Sequence, residues 1–561
     1  MSSCSQPPRG DSSASSPTLK GKEHNQDHSA GRQIFDFPRK HLLLSTHFDC
    51  IRHYPLKMYH QPTNLTSSPS AYPQHIRIMN HKKKDRARRE TPGFGQKIFL
   101  DKAGMDSQAP HSKPVPPKIQ KRRQERREWT PMNSSQHAQN TINPIRKICD
   151  SLSVPPNPNK VPIRLNLGDP TLTGNLPPSE ATVAAIHAVV DEHRHDGYGP
   201  SVGEHAAREA VARHFSTQQA SFTADDVVLA SGCSHALEMA IVAIADPGDN
   251  ILVPVPGFPL YSTLCKPNGI HTRQYRLRMN DGNGLIDLQH LEELIDENTK
   301  AIIINNPSNP TGVVFPKEHL EAILRVAHKH KVPIIADEIY GDLVYDGAEF
   351  HPMATLSPKV PIITCDGIAK RYLVPGWRLG WLIVHNRYGV LTEVKKGIVA
   401  LSQKIVGPNS LVQGALPRIL SDTPQSYFDH IKDVISKNAT IVYDILSRVP
   451  GLKPLKPQGA MYMMVGFDRD IYGEETKFMQ GLITEESVYC LPGSAFNLPN
   501  WFRLVLTYPE EVTREACERV VEYCERRIGP CKHLAAIYQR QESRAIDEGS
   551  EGSLSNAESD D

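Results

Sequence analysis

The stretch CDGIAKRYLVPGWRLGWLIV (365–384) places a lysine and an arginine between two apolar runs. The run VPIITC (360–365), which leads into it, and the run LGWLIV (379–384) at its end both have the length and the apolar character of core strands. Lys370 and Arg378 therefore lie on the connection between two predicted core strands. Because ligands of open α/β sheets bind at the ends of strands, this connection is a candidate binding site.

Lys370 has two interpretations. A lysine in a loop is most often a solvated surface residue. A lysine held partly out of water near Arg378 would instead have a lowered pKa and could attack a carbonyl carbon, while the guanidinium fork of Arg378 suits a phosphate. A reactive amine beside a phosphate clamp is what pyridoxal phosphate (PLP) requires. This second interpretation predicts further cofactor-binding groups elsewhere in the chain.

The composition predicts a globular body between two charged tails. The chain has 561 residues, of which 39% are hydrophobic and 22% charged, and its formal net charge is +2. Residues 1–128 contain 24 Lys and Arg against 11 Asp and Glu, whereas residues 541–561 contain one Arg against seven acidic residues. We therefore predict a disordered basic extension at 1–128 and a disordered acidic tail at 531–561.

Ten cysteines are scattered singly along the chain, without a C-x-x-C pair or a zinc-like spacing. Several lie in apolar runs, which favours buried thiols in a reducing compartment and predicts a cytoplasmic protein without a metal site. No apolar stretch reaches membrane-spanning length, and the N-terminus lacks the apolar core of a signal peptide. No membrane association is therefore expected.

Strands and helices alternate through the body of the chain. Short apolar runs such as NILVP (250–254), KAIIINN (300–306) and VPIIAD (332–337) are separated by helical patterns such as PKEHLEAILRVAHKHK (316–331). Such alternation predicts an α/β fold whose mostly parallel sheet lies between helices. The predicted large domain spans 196–400, a smaller α+β domain spans 401–530, and an N-terminal arm with part of the small domain spans 129–195.

Two turns of small residues suit a phosphorylated ligand. The run LASGCSHALEMA (229–240) reads as a strand, a turn and a helix start, where backbone N–H groups can cradle a phosphate. The run NNPSNPTGVVF (305–315) follows a buried strand and places Asn309 where its amide can donate to the 3′ oxygen of PLP. Each signal is weak alone, because turns of both kinds are common.

Four further side chains fit the same site. Asp337 ends a buried strand, where a carboxylate is costly unless it is paired, and a protonated pyridine nitrogen would pair with it. Tyr340 follows three residues later. Phe258, on the turn of VPVPGFPLY, suits stacking on a pyridine ring and equally suits a protein core. Arg503, inside the apolar run NWFRLVL, would match the α-carboxylate of a substrate.

In this order the motifs resemble those of the fold type I PLP-dependent aminotransferases, in particular the members that act on tyrosine. The resemblance runs from about residue 142 to about residue 528. Its most characteristic stretches are NPNKVPIRLNLGDPT, ILVPVPGFPLY, NNPSNPTG, PIIADEIYGD, AKRYLVPGWRLGW, QGAMYMMVG and PEEVTREACERV. It implies the PLP-dependent transferase fold of type I and a homodimer.

The resemblance also implies roles for individual residues. The catalytic residues would be Lys370, which carries the cofactor and moves the proton, with Asp337 and Tyr340. The cofactor-binding residues would be Gly232, Cys233, Ser234, Phe258, Asn309, Asp337, Tyr340, Lys370, Arg378 and, from the neighbouring subunit, Tyr198. The substrate-binding residues would be Arg503, Asn309 and the backbone of Gly168.

The implied reaction transfers the amino group of L-tyrosine to 2-oxoglutarate, as in tyrosine and phenylalanine catabolism. Another aminotransferase or a carbon–sulfur β-lyase of the same fold is an alternative that these motifs do not separate. A non-enzymatic alternative is nucleic-acid binding through the basic runs of residues 81–128, although aromatic residues are not regularly interleaved there.

One position departs from the family pattern. Asp366 stands four residues before Lys370, where the tyrosine-specific members tend to have glycine. A carboxylate that points inward there would raise the pKa of Lys370. We expect Asp366 instead to be a turn residue that faces solvent.

Overall fold

The protein is described by a computed structural model that covers residues 129, 131–279, 281–345 and 347–528. The predicted disorder of both tails, and the basic runs of the nucleic-acid alternative, lie outside these residues. Among the helices that the structure describes, none is long and apolar enough to cross a membrane.

Thirteen strands were assigned in the described residues. They are β1 (Ile163–Arg164), β2 (Val227–Ala230), β3 (Asn250–Val255), β4 (His271–Arg276), β5 (Thr299–Asn305), β6 (Ile334–Asp337), β7 (Ile362–Gly367), β8 (Gly380–His385), β9 (Leu452–Pro454), β10 (Tyr462–Phe467), β11 (Val488–Tyr489), β12 (Leu491–Pro492) and β13 (Trp501–Val505).

The α-helices of the same residues alternate with these strands and then dominate the chain after β8. They are α1 (Gln136–Asn140), α2 (Pro144–Ser151), α3 (Glu180–Glu192), α4 (His205–Phe215), α5 (Cys233–Ile244), α6 (Leu260–Cys265), α7 (Leu288–Glu293), α8 (Lys317–His330), α9 (Met353–Leu356), α10 (Ile368–Arg371), α11 (Thr392–Ser402), α12 (Ser410–Asp422), α13 (Gln425–Leu446), α14 (Arg469–Tyr472), α15 (Glu475–Glu486) and α16 (Glu510–Ile528).

The larger sheet has the strand order β2-β8-β7-β6-β5-β3-β4. Strands β4, β3, β5, β6 and β7 pair in parallel, and only β8 runs antiparallel to its neighbours β7 and β2. The predicted α/β fold with a mostly parallel sheet between helices is confirmed. Strand β4 was not predicted, because only Tyr275 in this polar edge strand is buried.

Apolar side chains on both faces hold the larger sheet. In β5, Ile303 packs into one core cluster, while Ile302 and Ile304 pack into another on the opposite face. All three side chains are fully buried. Burying one such side chain contributes about 2 kcal/mol, so a strand enclosed on both faces needs no polar alternation. This burial fixes the strand ends that carry the site.

A smaller sheet has the strand order β12-β13-β10-β9, and all its neighbouring strands are antiparallel. Strand β1, from the N-terminal part of the described chain, pairs in parallel with β11. Helices α13, α15 and α16 pack in the same region. The smaller α+β part is thus present, while its exact sequence boundaries stay a prediction.

The carboxyl ends of three parallel strands lie side by side in the larger sheet. Asn305 at the end of β5 is in register with Asp337 at the end of β6, which is in register with Cys365 in β7. Helix α10 begins directly after β7. This edge therefore gathers side chains from separate parts of the chain.

Candidate active site

A cavity of about 460 Å³ opens at this edge of the larger sheet. Of the twelve site residues predicted from the sequence, ten line it: Gly168, Cys233, Ser234, Phe258, Asn309, Asp337, Tyr340, Lys370, Arg378 and Arg503. Gly232 lies directly behind the wall formed by Arg378. Most of the side chains predicted from the sequence thus meet in one cavity, and they form about half of its wall.

Lys370 lies in α10, the single helical turn that follows β7. Its side chain is half-buried, and its Nζ donates a hydrogen bond to the carbonyl oxygen of Gly168 at 2.6 Å. The short helix sets the direction of the side chain, and the carbonyl holds its end. The amine is therefore fixed at the cavity wall and does not extend into solvent.

Asp337 is the buried carboxylate at the end of β6, and it is 2% exposed. It accepts a hydrogen bond from the Tyr261 hydroxyl at 2.6 Å, and the Cys233 thiol lies 3.7 Å away as a weak donor. Burial raises the pKa of Asp337 to about 6, although these donors partly oppose the shift. A cationic ring atom beside this carboxylate would favour its charged form.

A turn after β2 forms a cradle with Arg378. Gly232 precedes α5 with φ of +78°, and a Cβ there would lie 2.7 Å from Nη2 of Arg378. Arg378 donates to the carbonyl oxygens of Pro375 at 3.1 Å and Ser231 at 3.2 Å. The N-terminus of a twelve-residue helix and an arginine therefore face the same corner, which suits a phosphate.

Arg503 comes from β13 of the smaller sheet and is 3% exposed. Its Nη1 donates to Oδ1 of Asn309 at 2.8 Å, and its Nη2 donates to the carbonyl oxygen of Asn166 at 3.3 Å. Its Cζ lies 4.1 Å from the ring centroid of Tyr462 and 5.0 Å from that of Phe496. The guanidinium is thus held between two rings, with polar contacts at its edge.

The hydroxyls of Tyr340 and Tyr462 lie 2.8 Å apart, and their rings meet edge to face. Burial raises the pKa of Tyr340 well above its ordinary value. Burial also acts to raise the pKa of Tyr462, but the charges of Lys370 and Arg503 outweigh it and leave that pKa lowered. The pair therefore links residues from both sheets inside one cavity.

The residues of the site that the sequence did not indicate include Asn166, Tyr261 and Tyr462. Tyr261 stands in the quoted run VPVPGFPLY and Tyr462 in QGAMYMMVG, where a tyrosine among apolar residues reads as core. Both tyrosines are buried as core residues are, and in addition the Tyr261 hydroxyl donates to Asp337 and the Tyr462 hydroxyl lies 2.8 Å from that of Tyr340. The available signal was the hydroxyl itself, which needs a partner once buried.

Two predicted cofactor residues, Phe258 and Tyr198, differ in their position relative to the cavity. Phe258 is half-buried at the cavity wall, and its ring meets that of Tyr261 edge to face at 5.9 Å. Tyr198 is 94% exposed and is absent from the residues that line the cavity. Within one chain the structure does not bring Tyr198 to the other site residues.

The expectation that Asp366 faces solvent was wrong. Strand β7 continues through Gly367, so Asp366 points into the protein and is 1% exposed. Its Oδ2 lies 3.1 Å from Nη2 of Arg371, whose Nη1 lies 3.1 Å from Oδ2 of Asp342. Burial raises the pKa of Asp366 to about 7, partly opposed by Arg371. The arginine explains why a carboxylate is tolerated there.

Comparison with known proteins shows the family of the chain. The family model for aminotransferase class I and II matches residues 160–520. The tyrosine aminotransferase of Caenorhabditis elegans is 61% identical over 399 residues, covering 71% of this chain and 86% of the relative. That of Mus musculus is 48% identical over 389 residues, covering 69% of this chain and 86% of the relative.

A solved structure shows the same architecture. The crystal structure of tyrosine aminotransferase from Leishmania infantum superposes with a TM-score of 0.69 at 32% identity. The match covers 71% of this chain and all of that one. The resemblance noted from the sequence motifs is therefore confirmed, and so is the prediction of an aminotransferase.

The residues of the cavity fit PLP, the cofactor predicted from the sequence. At the cradle, the absence of a side chain on Gly232 lets the guanidinium of Arg378 lie against the turn at the N-terminus of α5, and a guanidinium beside such a turn suits a phosphate. A buried carboxylate, Asp337, and an amine, Lys370, line the same cavity, as a protonated pyridine ring and an aldehyde require. The chain belongs to the class I and II aminotransferases, whose cofactor is pyridoxal phosphate.

Proposed function

We propose that the protein transfers the amino group of L-tyrosine to 2-oxoglutarate, giving 4-hydroxyphenylpyruvate and glutamate. The observation that carries the proposal is one cavity that contains the Lys370 amine, the Asp337 carboxylate and the Arg503 guanidinium. Relatives named tyrosine aminotransferase at 61% and 48% identity support the choice of amino acid. Loss of the tyrosine amino group would make this the opening step of its catabolism.

Residues from the edge of the larger sheet would hold the cofactor. Arg378 and the turn of Gly232, Cys233 and Ser234 would bind the phosphate, and Phe258 would stack on the ring. Asp337 would pair with the ring nitrogen. Tyr340 and the Nδ2 hydrogens of Asn309 would donate to the 3′ oxygen. When bound, PLP supplies an electron sink that stabilises negative charge at the Cα of the substrate.

Lys370 would move the proton of the reaction. A neutral amine released at this position can take the proton from Cα as a general base and return it as a general acid. The carbonyl of Gly168, 2.6 Å from Nζ, gives that amine a defined place at the wall. The half-buried position limits competition from water.

The substrate would bind between the two sheets. Arg503 would bind the α-carboxylate bidentately, with Asn309 and the backbone of Gly168 beside it. Three apolar side chains, Ile145, Leu167 and Leu172, line the same cavity and suit an aromatic ring. A ring-bearing amino acid therefore satisfies both the charged and the apolar parts of the wall.

The active unit would be a homodimer in the cytoplasm. Tyr198 is 94% exposed in one chain, which supports its proposed use on the phosphate bound by a neighbouring subunit. The described cysteines Cys233, Cys265, Cys365, Cys490, Cys517 and Cys524 are all free and buried, which supports a reducing compartment. Light scattering of purified protein, with Tyr198→Phe assayed alongside, would test the dimer.

A substrate panel tests the proposed reaction. Purified protein loaded with PLP should form more than one equivalent of 4-hydroxyphenylpyruvate per active site from tyrosine only when an oxo acid such as 2-oxoglutarate is present to accept the amino group. Faster turnover of alanine would favour an alanine aminotransferase. Release of pyruvate from a cysteine conjugate without an oxo acid would favour the β-lyase alternative. Either outcome would overturn the proposed substrate while leaving the family assignment intact.

A further inference from the structure

Tyr462 contacts both halves of the cavity, although its run was interpreted only as a core strand. It lies at the start of β10 in the smaller sheet and is 2% exposed. Its hydroxyl lies 2.8 Å from that of Tyr340, on the proposed cofactor side. Its ring lies 4.1 Å from Cζ of Arg503, on the proposed substrate side. A single side chain thus contacts both a proposed cofactor-binding residue and a proposed substrate-binding residue.

We propose that Tyr462 is a positioning residue with two separable roles, its hydroxyl orienting the Tyr340 hydroxyl and its ring supporting the Arg503 guanidinium. The inference rests on the proposed function, because it assumes that Tyr340 faces the cofactor and Arg503 the substrate carboxylate. The packing leaves Tyr462 little freedom: a Cβ added to Gly168 would lie 2.6 Å from its hydroxyl oxygen.

The hydroxyl role follows from the inventory of hydrogens. A phenol has one hydrogen to donate and can accept further bonds. If Tyr340 donates to the 3′ oxygen of PLP, it must accept from Tyr462 at 2.8 Å. That arrangement strengthens the Tyr340 donor and fixes its rotation. The charged groups that face this pair are Lys370, Arg503, Asp337 and Asp169.

A donor on the 3′ oxygen stabilises negative charge there and so favours loss of the nearby proton on the Lys370–cofactor linkage. Tyr462→Phe removes the hydroxyl, weakens that donor and should raise the pH midpoint of the visible absorbance of bound PLP. A hydrogen bond of ordinary strength corresponds to a shift of about half a pH unit. This readout needs no turnover.

The ring role follows from the geometry of the guanidinium. A guanidinium over an aromatic face is attracted by the ring quadrupole. Removing a buried ring therefore leaves the guanidinium less well held, and a carboxylate that it binds should bind several-fold more weakly. Tyr462→Phe keeps a ring under Arg503, whereas Tyr462→Leu does not. We therefore expect only the leucine variant to weaken binding of 3-(4-hydroxyphenyl)propanoate, by about fivefold to tenfold in Kd. This probe has the carboxylate but no amino group to react.

Tyr523 offers a matched control in the same part of the fold. It is buried, its hydroxyl donates to the Phe478 carbonyl at 3.1 Å, and Arg527 lies over its ring at 3.4 Å. It is absent from the residues that line the cavity. Tyr523→Phe and Tyr523→Leu lose comparable interactions and should leave both the absorbance midpoint and the probe affinity unchanged.

The experiment compares these four variants, loaded with PLP, by absorbance titration and calorimetry. An unchanged midpoint in Tyr462→Phe would overturn the hydroxyl role. Equal Kd values for Tyr462→Phe and Tyr462→Leu would overturn the ring role. Equal effects in the Tyr523 variants would show a general loss of packing instead. If Tyr462→Leu does not fold, Tyr462→Met replaces it. If the native protein does not turn over tyrosine, only the proposed reaction is disproved, because neither measurement requires turnover.

Discussion

Two groups of charged residues alternate along the same chain segments but lie in different environments. Lys370 and Asp337 line the cavity, whereas their chain neighbours Arg371 and Glu338 are buried and are absent from its wall. Arg371 and Glu338, with Asp342 and Asp366, form what we call the ion cluster. Arg371 bridges Asp342 and Asp366 and donates to the Gly341 carbonyl at 3.1 Å.

The contrast between the two groups shows that one edge of the larger sheet carries both the residues of the cavity and residues that stabilise the fold. In the cavity, charged groups face a space that a ligand can enter. In the ion cluster the partners are protein groups: Arg371 pairs with Asp342 and Asp366, while burial favours the neutral form of Glu338. Because Lys370 and Arg371 are consecutive, the ion cluster also fixes the short helix that aims the lysine. The comparison predicts that substitutions in the cavity reduce activity, whereas substitutions in the ion cluster reduce the free energy of unfolding.

Lys370→Ala should show the largest effect. It removes both the amine that would carry the cofactor and the group that would move the proton. We expect a loss of at least about 10⁴ in kcat with tyrosine, while the free energy of unfolding stays within about 1 kcal/mol of native. Stopped assays and urea unfolding measure the two quantities. Near-native turnover would disprove the placement of the site, and Lys370→Arg should be inactive as well.

Arg371→Met tests the contribution of the ion cluster to stability. It leaves Asp366 buried without its partner, which costs about 3–5 kcal/mol of unfolding free energy. Urea unfolding should show this loss, with Arg527→Met as a control at a more exposed arginine. A change below about 1 kcal/mol would mean that the ion cluster does not stabilise the fold.

Arg503→Leu tests whether this buried arginine of the smaller sheet binds substrate or stabilises the fold. We expect PLP to remain bound, with its visible absorbance retained, while kcat/KM falls by about 10² for every amino acid tested. A loss confined to dicarboxylic substrates would assign Arg503 to the distal carboxylate of 2-oxoglutarate. Loss of PLP or of stability would place it with the ion cluster.

Glu338→Gln should give the smallest effect, and it depends on pH. Burial raises the pKa of Glu338 from 4.5 to about 8, although the Met353 N–H opposes the shift. Between these values the folded state holds a proton that the unfolded state has released, so native stability falls as pH rises from 5 to 8. The glutamine side chain cannot titrate, so between pH 5 and 8 the free energy of unfolding of the variant should fall by about 2 kcal/mol less than that of the native protein. Parallel curves for both proteins would mean that Glu338 ionises normally.

The strands of the larger sheet other than β4 were predictable because their apolar runs are short, dense and bounded by polar turns. Lys370, Asp337 and Asn309 were predictable because each follows such a run. The Tyr340–Tyr462 contact was not, because it joins residues 122 positions apart and depends on how the two sheets pack. The burial of Asp366 was missed because β7 extends two residues beyond the apolar run VPIITC, and the sequence did not indicate that Arg371 is its partner.

The cavity is assembled from pieces of the chain that can change separately during evolution. The edge of the larger sheet supplies Lys370 and Asp337, whereas β10 and β13 of the smaller sheet supply Tyr462 and Arg503. Apolar wall residues such as Leu172 come from a third segment, before α3. A gene duplicate could therefore acquire a new substrate through mutations in the third segment alone, inheriting the cofactor chemistry unaltered.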